Sequence, residues 1–194
     1  MSGKKAFDED KVLRAALNVF RQRGFAGAGL SELEEATGLN RSSLYNAFGN
    51  KEGLFLRSMA LFRTVFSQSA LNQLNKPTFR QSLEDFFEVS GAFAMPNFPG
   101  GCVASLASLE MGGRGGKIAE ELDRGINGMI DAVRERCLQA VADGELPKDT
   151  NCDDLAALII ATTRGVSVIC MATQDSTAGR GAYRALIQTI CGPN

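Results

Sequence analysis

The chain is predicted to be all-α, with about nine helices. Apolar residues recur at helical spacing through most of its 194 positions, and neither an alternating strand pattern of useful length nor an internal repeat interrupts them. Composition agrees with a folded core. Hydrophobic residues make up 44% and charged residues 22%, with 21 Lys and Arg against 22 Asp and Glu, which excludes both low-hydropathy disorder and a broad basic coat.

The elements follow in order. Val12, Leu13, Ala16, Leu17 and Phe20 share one helical face, and Gly24 supplies a stop, so a first helix spans about 8–23. Ser31 and Glu34 form an S-x-x-E capping box for a short helix with Leu33 and Ala36 inward, ended by Gly38. Asn40 caps a second short helix carrying Leu44 and Phe48 at i, i+4, and Gly49 breaks it. Asn50 then opens a long amphipathic helix through Leu54, Phe55, Met59, Phe62 and Phe66 toward Lys76-Pro77. Further helices are read over Thr78–Ala94, Cys102–Met111, Ile118–Ala142, 153–173 and 177–191, with a Pro-rich loop at 96–101 and a glycine-rich break at 112–116.

Several function classes are excluded at this level. Histidine is absent, which removes the usual general base and the commonest metal ligand. No phosphate-loop motif appears, so no enzyme, no metal and no cofactor is expected. The five cysteines, Cys102, Cys137, Cys152, Cys170 and Cys191, form no CxxC pair and no disulfide framework. The apolar stretch Leu155–Gln174 carries Arg164 in its middle, and the N-terminus turns acidic where an export signal needs an apolar run. The expectation is a cytoplasmic protein with no membrane partner.

Two short helices joined by a tight glycine-containing turn and braced by a longer one form a helix-turn-helix. With Leu44 inward, Ser42 and Asn46 lie on the opposite face, flanked by Ser43 and Tyr45. Arg41 sits in the first turn, where a recognition helix meets base edges and an Arg can bridge guanine O6 and N7. Ser31, Tyr45 and Lys51 are placed for phosphates. Charge is mildly asymmetric: residues 1–58 hold nine basic and seven acidic side chains, the rest twelve and fifteen. That suits DNA affinity from a few placed contacts and dimerisation.

The run Leu17-x-x-Phe20-x-x-x-Gly24-Phe25, with Leu33 to Phe55 and its Tyr45-x-x-Phe48-Gly49-x-Lys51-x-x-Leu54 pattern, closely resembles the DNA-binding module of the tetracycline-repressor (TetR) family. The resemblance covers about residues 8–56. It implies an all-helical homodimer with a DNA-binding domain over 1–56, a ligand-binding and dimerisation domain over 57–194, and release of operator DNA on binding a small molecule. By position, Tyr45 and Lys51 would contact phosphate and Arg41 to Ser43 the major groove. Pro99-Gly100-Gly101-Cys102, with Glu110 beyond it, resembles a segment of a subset that includes regulators responsive to electrophiles.

In the C-terminal part, Cys102 at a helix start is either a reactive thiolate favoured by unpaired amides or a small packed residue. Cys137, Cys170 and Cys191 read as packing residues. Phe86, Phe87, Phe93, Met111 and Met129 either line an apolar pocket or fill a core, and Arg134 or Arg164 either pairs an acidic ligand or is paired structurally. The last two helices carry more apolar surface than one face needs: Leu155, Leu158, Ile159, Thr162, Val166 and Ile169, then Ala182, Leu186 and Thr189. A dimeric four-helix interface would bury the excess, against the alternative of a monomer core. An alternative function is a helical protein-interaction module on a DNA-binding head.

Overall fold

The computed structural model describes residues 7–92 and 102–193, and every regular element among them is helical. The order is α1 (Glu9–Gly27), α2 (Leu30–Thr37), α3 (Arg41–Phe48), α4 (Lys51–Phe62), a π-helical turn (Arg63–Ser67), α5 (Gln68–Leu71), a 3-10 turn (Asn72–Leu74), α6 (Phe79–Ala92), α7 (Val103–Met111), α8 (Gly116–Ala142), α9 (Cys152–Thr173) and α10 (Thr177–Cys191). From α4 to the 3-10 turn the backbone stays helical, so the described residues make nine rods. Phe93 and the Pro99-Gly100-Gly101 segment lie outside the described residues.

Local chemistry sets the ends. The Asp8 carboxylate accepts from Lys11 N at 3.2 Å to start α1. Gly24 breaks α1 at φ 73°, a value that penalises any side chain, and one further turn follows before α2. The predicted Ser31–Glu34 capping box does not form. The helix starts earlier, at Gly29, whose N–H donates to Glu32 Oε2 at 3.2 Å, while Glu32 also pairs with Arg23 at 2.9 Å. Ser31 is therefore inside the first turn and exposed, and Ala36, expected inward, is exposed too. Gly38 at φ 68° makes the turn, and Asn40 Oδ1 accepts from Ser43 N at 2.9 Å to start α3.

Two apolar clusters divide the chain, and not at residue 56. The first joins α6, α8, α9 and α10 around Phe79, Leu83, Phe86, Val133, Cys137 and Ile159. The second holds Phe20, Leu33, Leu44 and Phe55 of α1–α4, but continues into Val103, Ala104 and Ala107 of α7 and Ile118 and Leu122 of α8. The three-helix head therefore shares its core with part of the C-terminal region. Burial pushes the Cys137 thiol up to about 12, and raises Cys170 and Cys191. These three remain neutral packing groups at neutral pH.

Helix α9 is long and apolar enough to cross a membrane by length and composition. Here it packs against α6, α7, α8 and α10, and only a third of its most apolar stretch is buried within the chain. Gly179 lets α10 approach closely, since a Cβ there would sit 2.7 Å from Val166.

Candidate nucleic-acid interface and sensor cavity

Helix α3 is anchored by Leu44 and Phe48, at 1% and 8% exposure, while Arg41, Ser42, Tyr45 and Asn46 are exposed and Ser43 is half-buried. The Arg41 guanidinium lies over the Tyr45 ring at 5.8 Å, so one cation and one phenol share the outer surface. An eight-residue helix held by two apolar contacts and presenting Arg, Ser, Asn and Tyr outward can enter a major groove, where such groups read base edges and phosphates.

Lys51, at the start of α4, is drawn toward α1. Its Nζ donates to Ala26 O at 3.2 Å and lies 5.1 Å from the Phe25 ring centroid. Partial burial holds its ammonium below the usual lysine value, with Glu110 offsetting part of the shift. Glu110 is a residue whose role sequence reading missed. Projecting from α7, its Oε2 accepts from Phe25 N at 2.6 Å and Ala26 N at 3.2 Å, the amides that the break at Gly24 leaves without helical partners. Gly24 makes room for it, as a Cβ there would meet Glu110 Oε1 at 2.0 Å. The paired residues lie 85 positions apart, so no local signal points to them.

On the C-terminal side, two adjoining cavities of about 240 and about 50 Å3 flank the π-helical turn and share Phe62, Ser67, Met129 and Arg164. Arg164 Nη1 donates toward Cys102 Sγ at 2.9 Å and Ser105 Oγ at 3.5 Å, and Nη2 approaches Met129 Sδ at 3.5 Å. The Arg164 Nε is buried with no hydrogen-bond partner among the described residues. Cys102, Met129 and Arg164 are thus brought together. A separate cleft of about 390 Å3 between α6, α9 and α10 is floored by Phe87, stacked on Tyr183 at 4.3 Å.

The other pocket candidates lie elsewhere. Phe86 is wholly buried in the first cluster, and Met111 packs on the second. Arg134 lies outside these cavities among Asp131, Glu135 and Asp153 at 3.8, 3.1 and 3.6 Å, a position set by acidic neighbours on α8 and α9. Of the dimer candidates, Leu158, Ile169 and Thr189 are exposed, and Leu155, Thr162, Ala182 and Leu186 are half-buried. Ile159 and Val166, at 0% and 3% exposure, face inward within the single chain.

A three-helix head presenting one polar recognition helix defines a helix-turn-helix DNA-binding protein. Comparison with known proteins narrows this. Residues 12–57 match the model for bacterial regulatory proteins of the tetR family, and residues 80–186 match the tetracyclin repressor-like C-terminal domain. The chain is 30% identical over 172 residues to the HTH-type transcriptional repressor ComR of Escherichia coli K12, covering 84% of this chain and 80% of that protein. A solved structure of the TetR family transcriptional regulator CifR, a cysteine mutant complexed with 26-base-pair operator DNA, superposes with a TM-score of 0.84 at 30% identity, over 94% of this chain and 97% of that one. A TetR transcriptional regulator from Chloroflexus aurantiacus gives 0.84 at 25% identity, over 93% and 92%. The chain belongs to the TetR family. It is a helix-turn-helix transcriptional regulator and not an enzyme.

Proposed function

We propose that the chain is a dimeric cytoplasmic repressor that holds operator DNA with two copies of α3 and releases it when a small molecule fills the cavity beside Arg164. The carrying observation is the α3 surface, where Arg41, Ser42, Tyr45 and Asn46 are exposed above buried Leu44 and Phe48. ComR is a repressor and CifR has been solved on operator DNA, which supports the same action here. In this reading Arg41, Ser42, Ser43 and Asn46 meet base edges. Ser31, Tyr45 and Lys51 take phosphates, Lys51 after leaving Ala26.

The dimer rests on α9. Leu158 and Ile169 are 50% and 45% exposed. Eleven residues apart, they return to the same helical face, with Ala161, Thr162 and Gly165 between. A second copy burying this face would set two α3 helices about 34 Å apart or a multiple of that. The rod from α4 onward connects the two ends: Leu54 and Phe55 sit in the head core, and Met59, Phe62 and Phe66 line the cavities. A ligand there shifts the population toward conformers whose recognition helices no longer match the half-sites. Arg41→Ala and Tyr45→Ala should each weaken binding to a duplex from upstream of the chain's own gene by at least about tenfold in gel shifts. Each variant should keep the dimer intact. Unchanged binding in both would refute the assignment.

A second reading is favoured by the Arg164–Cys102 contact: the sulfur of Cys102 adds to an electrophile such as a Michael acceptor, forming an S–C bond while the thiol proton passes to the adduct carbon. Treating wild type and Cys102→Ser with N-ethylmaleimide separates the two. Release of DNA by wild type alone supports a thiol sensor, and equal release by both eliminates it.

A further inference from the structure

The walls of the adjoining cavities are unbalanced in charge. Arg63, Arg124 and Arg164 border them, and Glu121 is the one carboxylate among the described lining residues. Glu121 is already engaged, accepting from Arg63 Nη1 and lying 2.5 Å from Arg124 Nη1. Arg164, where the two cavities meet, has no acidic partner among the described residues. Its neighbours are two sulfurs and a hydroxyl, sulfur being a weak acceptor, and its Nε is buried without any partner among those residues. A partly buried guanidinium with only neutral neighbours has lost hydration without gaining a counter-ion, which is costly unless something else supplies the anion.

We propose that the effector of this cavity is a small carboxylic acid with an apolar body, its carboxylate paired with Arg164 and its body lying against Phe62, Phe66, Leu122, Ile126 and Met129. This rests on the sensor-cavity reading above and names the ligand class. The guanidinium fork matches a planar carboxylate, which can accept two N–H groups at once and thereby satisfy the orphaned Nε. The apolar walls give a hydrocarbon or aryl body its affinity, and the flexible Met129 thioether can move aside to admit it. Pairing Arg164 with the ligand also draws it from Cys102, the residue immediately before α7. The last turn of α7 carries Glu110, which holds Phe25 and Ala26 of the DNA-binding head.

The test uses matched probes on the full chain: octanoate and 4-phenylbutyrate against octanamide and 4-phenylbutyramide, read by thermal shift and calorimetric titration. The acids should raise Tm and the amides should not. Arg164→Gln should bind the acids at least about tenfold more weakly, and Arg164→Lys, which keeps the charge and loses the fork, should fall between. Far-UV circular dichroism checks both variants. If Arg164→Gln does not fold, the acid–amide difference on wild type together with Arg164→Lys still decides. Equal stabilisation by acids and amides, undiminished acid binding by folded variants, or no shift with either acid would overturn the proposal. A gel shift without ligand keeps the two levels apart. Protein that binds operator but ignores the acids sinks only the carboxylate, whereas protein that binds no operator sinks the reading beneath it.

Discussion

Leu158→Glu combined with Ile169→Glu is expected to leave a folded monomer that binds operator at least about a hundredfold more weakly than wild type. Both side chains are about half exposed in the single chain, so the new carboxylates stay hydrated there and folding costs little. Across a two-fold interface the same changes would bring four negative charges into one apolar patch, where desolvation and like-charge repulsion act together. A chain with one α3 then loses the second half-site, and with it the advantage of linked binding. Sedimentation velocity reads the mass and fluorescence anisotropy reads the affinity. A variant that stays dimeric would show that the copies meet on another face.

Phe20→Ala should cost about 3–5 kcal/mol of stability and lower Tm by about 10 °C. Phe20 is wholly buried, with its ring edge-on to Phe55 at 5.0 Å and the Phe25 ring at 6.4 Å. Deleting it opens a cavity where α1 and α4 meet, and rigid aromatic neighbours limit how far the site can collapse. Because the same cluster includes Val103, Ala107 and Leu122, the loss should appear in the transition of the whole chain rather than as a separate melting head. Calorimetry separates these outcomes: a new low-temperature transition confined to the head would contradict the shared core.

The contrast between these two substitutions reflects what the sequence made legible. Helical spacing identifies Phe20, Leu44 and Phe55 as inward and Arg41 and Asn46 as outward, because on short helices one face is apolar and the other polar. Spacing fails where helices are apolar on several sides. On α9 it does not separate inward Ile159 and Val166 from outward Leu158 and Ile169, and on α6 the adjacent Phe86 and Phe87 are both buried in one cluster while Phe87 alone also borders the cleft. Arg134 already has Asp131 and Glu135 beside it on α8, and the fold adds Asp153 from α9, whereas Arg164, with no acidic residue near it in sequence, is given a cavity. The capping box at Ser31 competes with one that starts two residues earlier, and nothing local decides between Glu32 and Glu34. The Glu110 cap of α1 depends wholly on tertiary packing, as does the apolar cluster that crosses residue 56.

The central claim is that the outer surface of α3 holds DNA and that a ligand beside Arg164 loosens it. Its most direct measurement is anisotropy of a labelled duplex from upstream of the chain's own gene, titrated with wild-type protein at 50 and 200 mM salt and again with a carboxylate that raises Tm. The account predicts two chains per duplex, affinity falling steeply with salt as phosphate contacts release counterions, and a further loss of affinity with the acid present. Binding that is indifferent to salt and acid, and that survives removal of Arg41 and Tyr45, would contradict it.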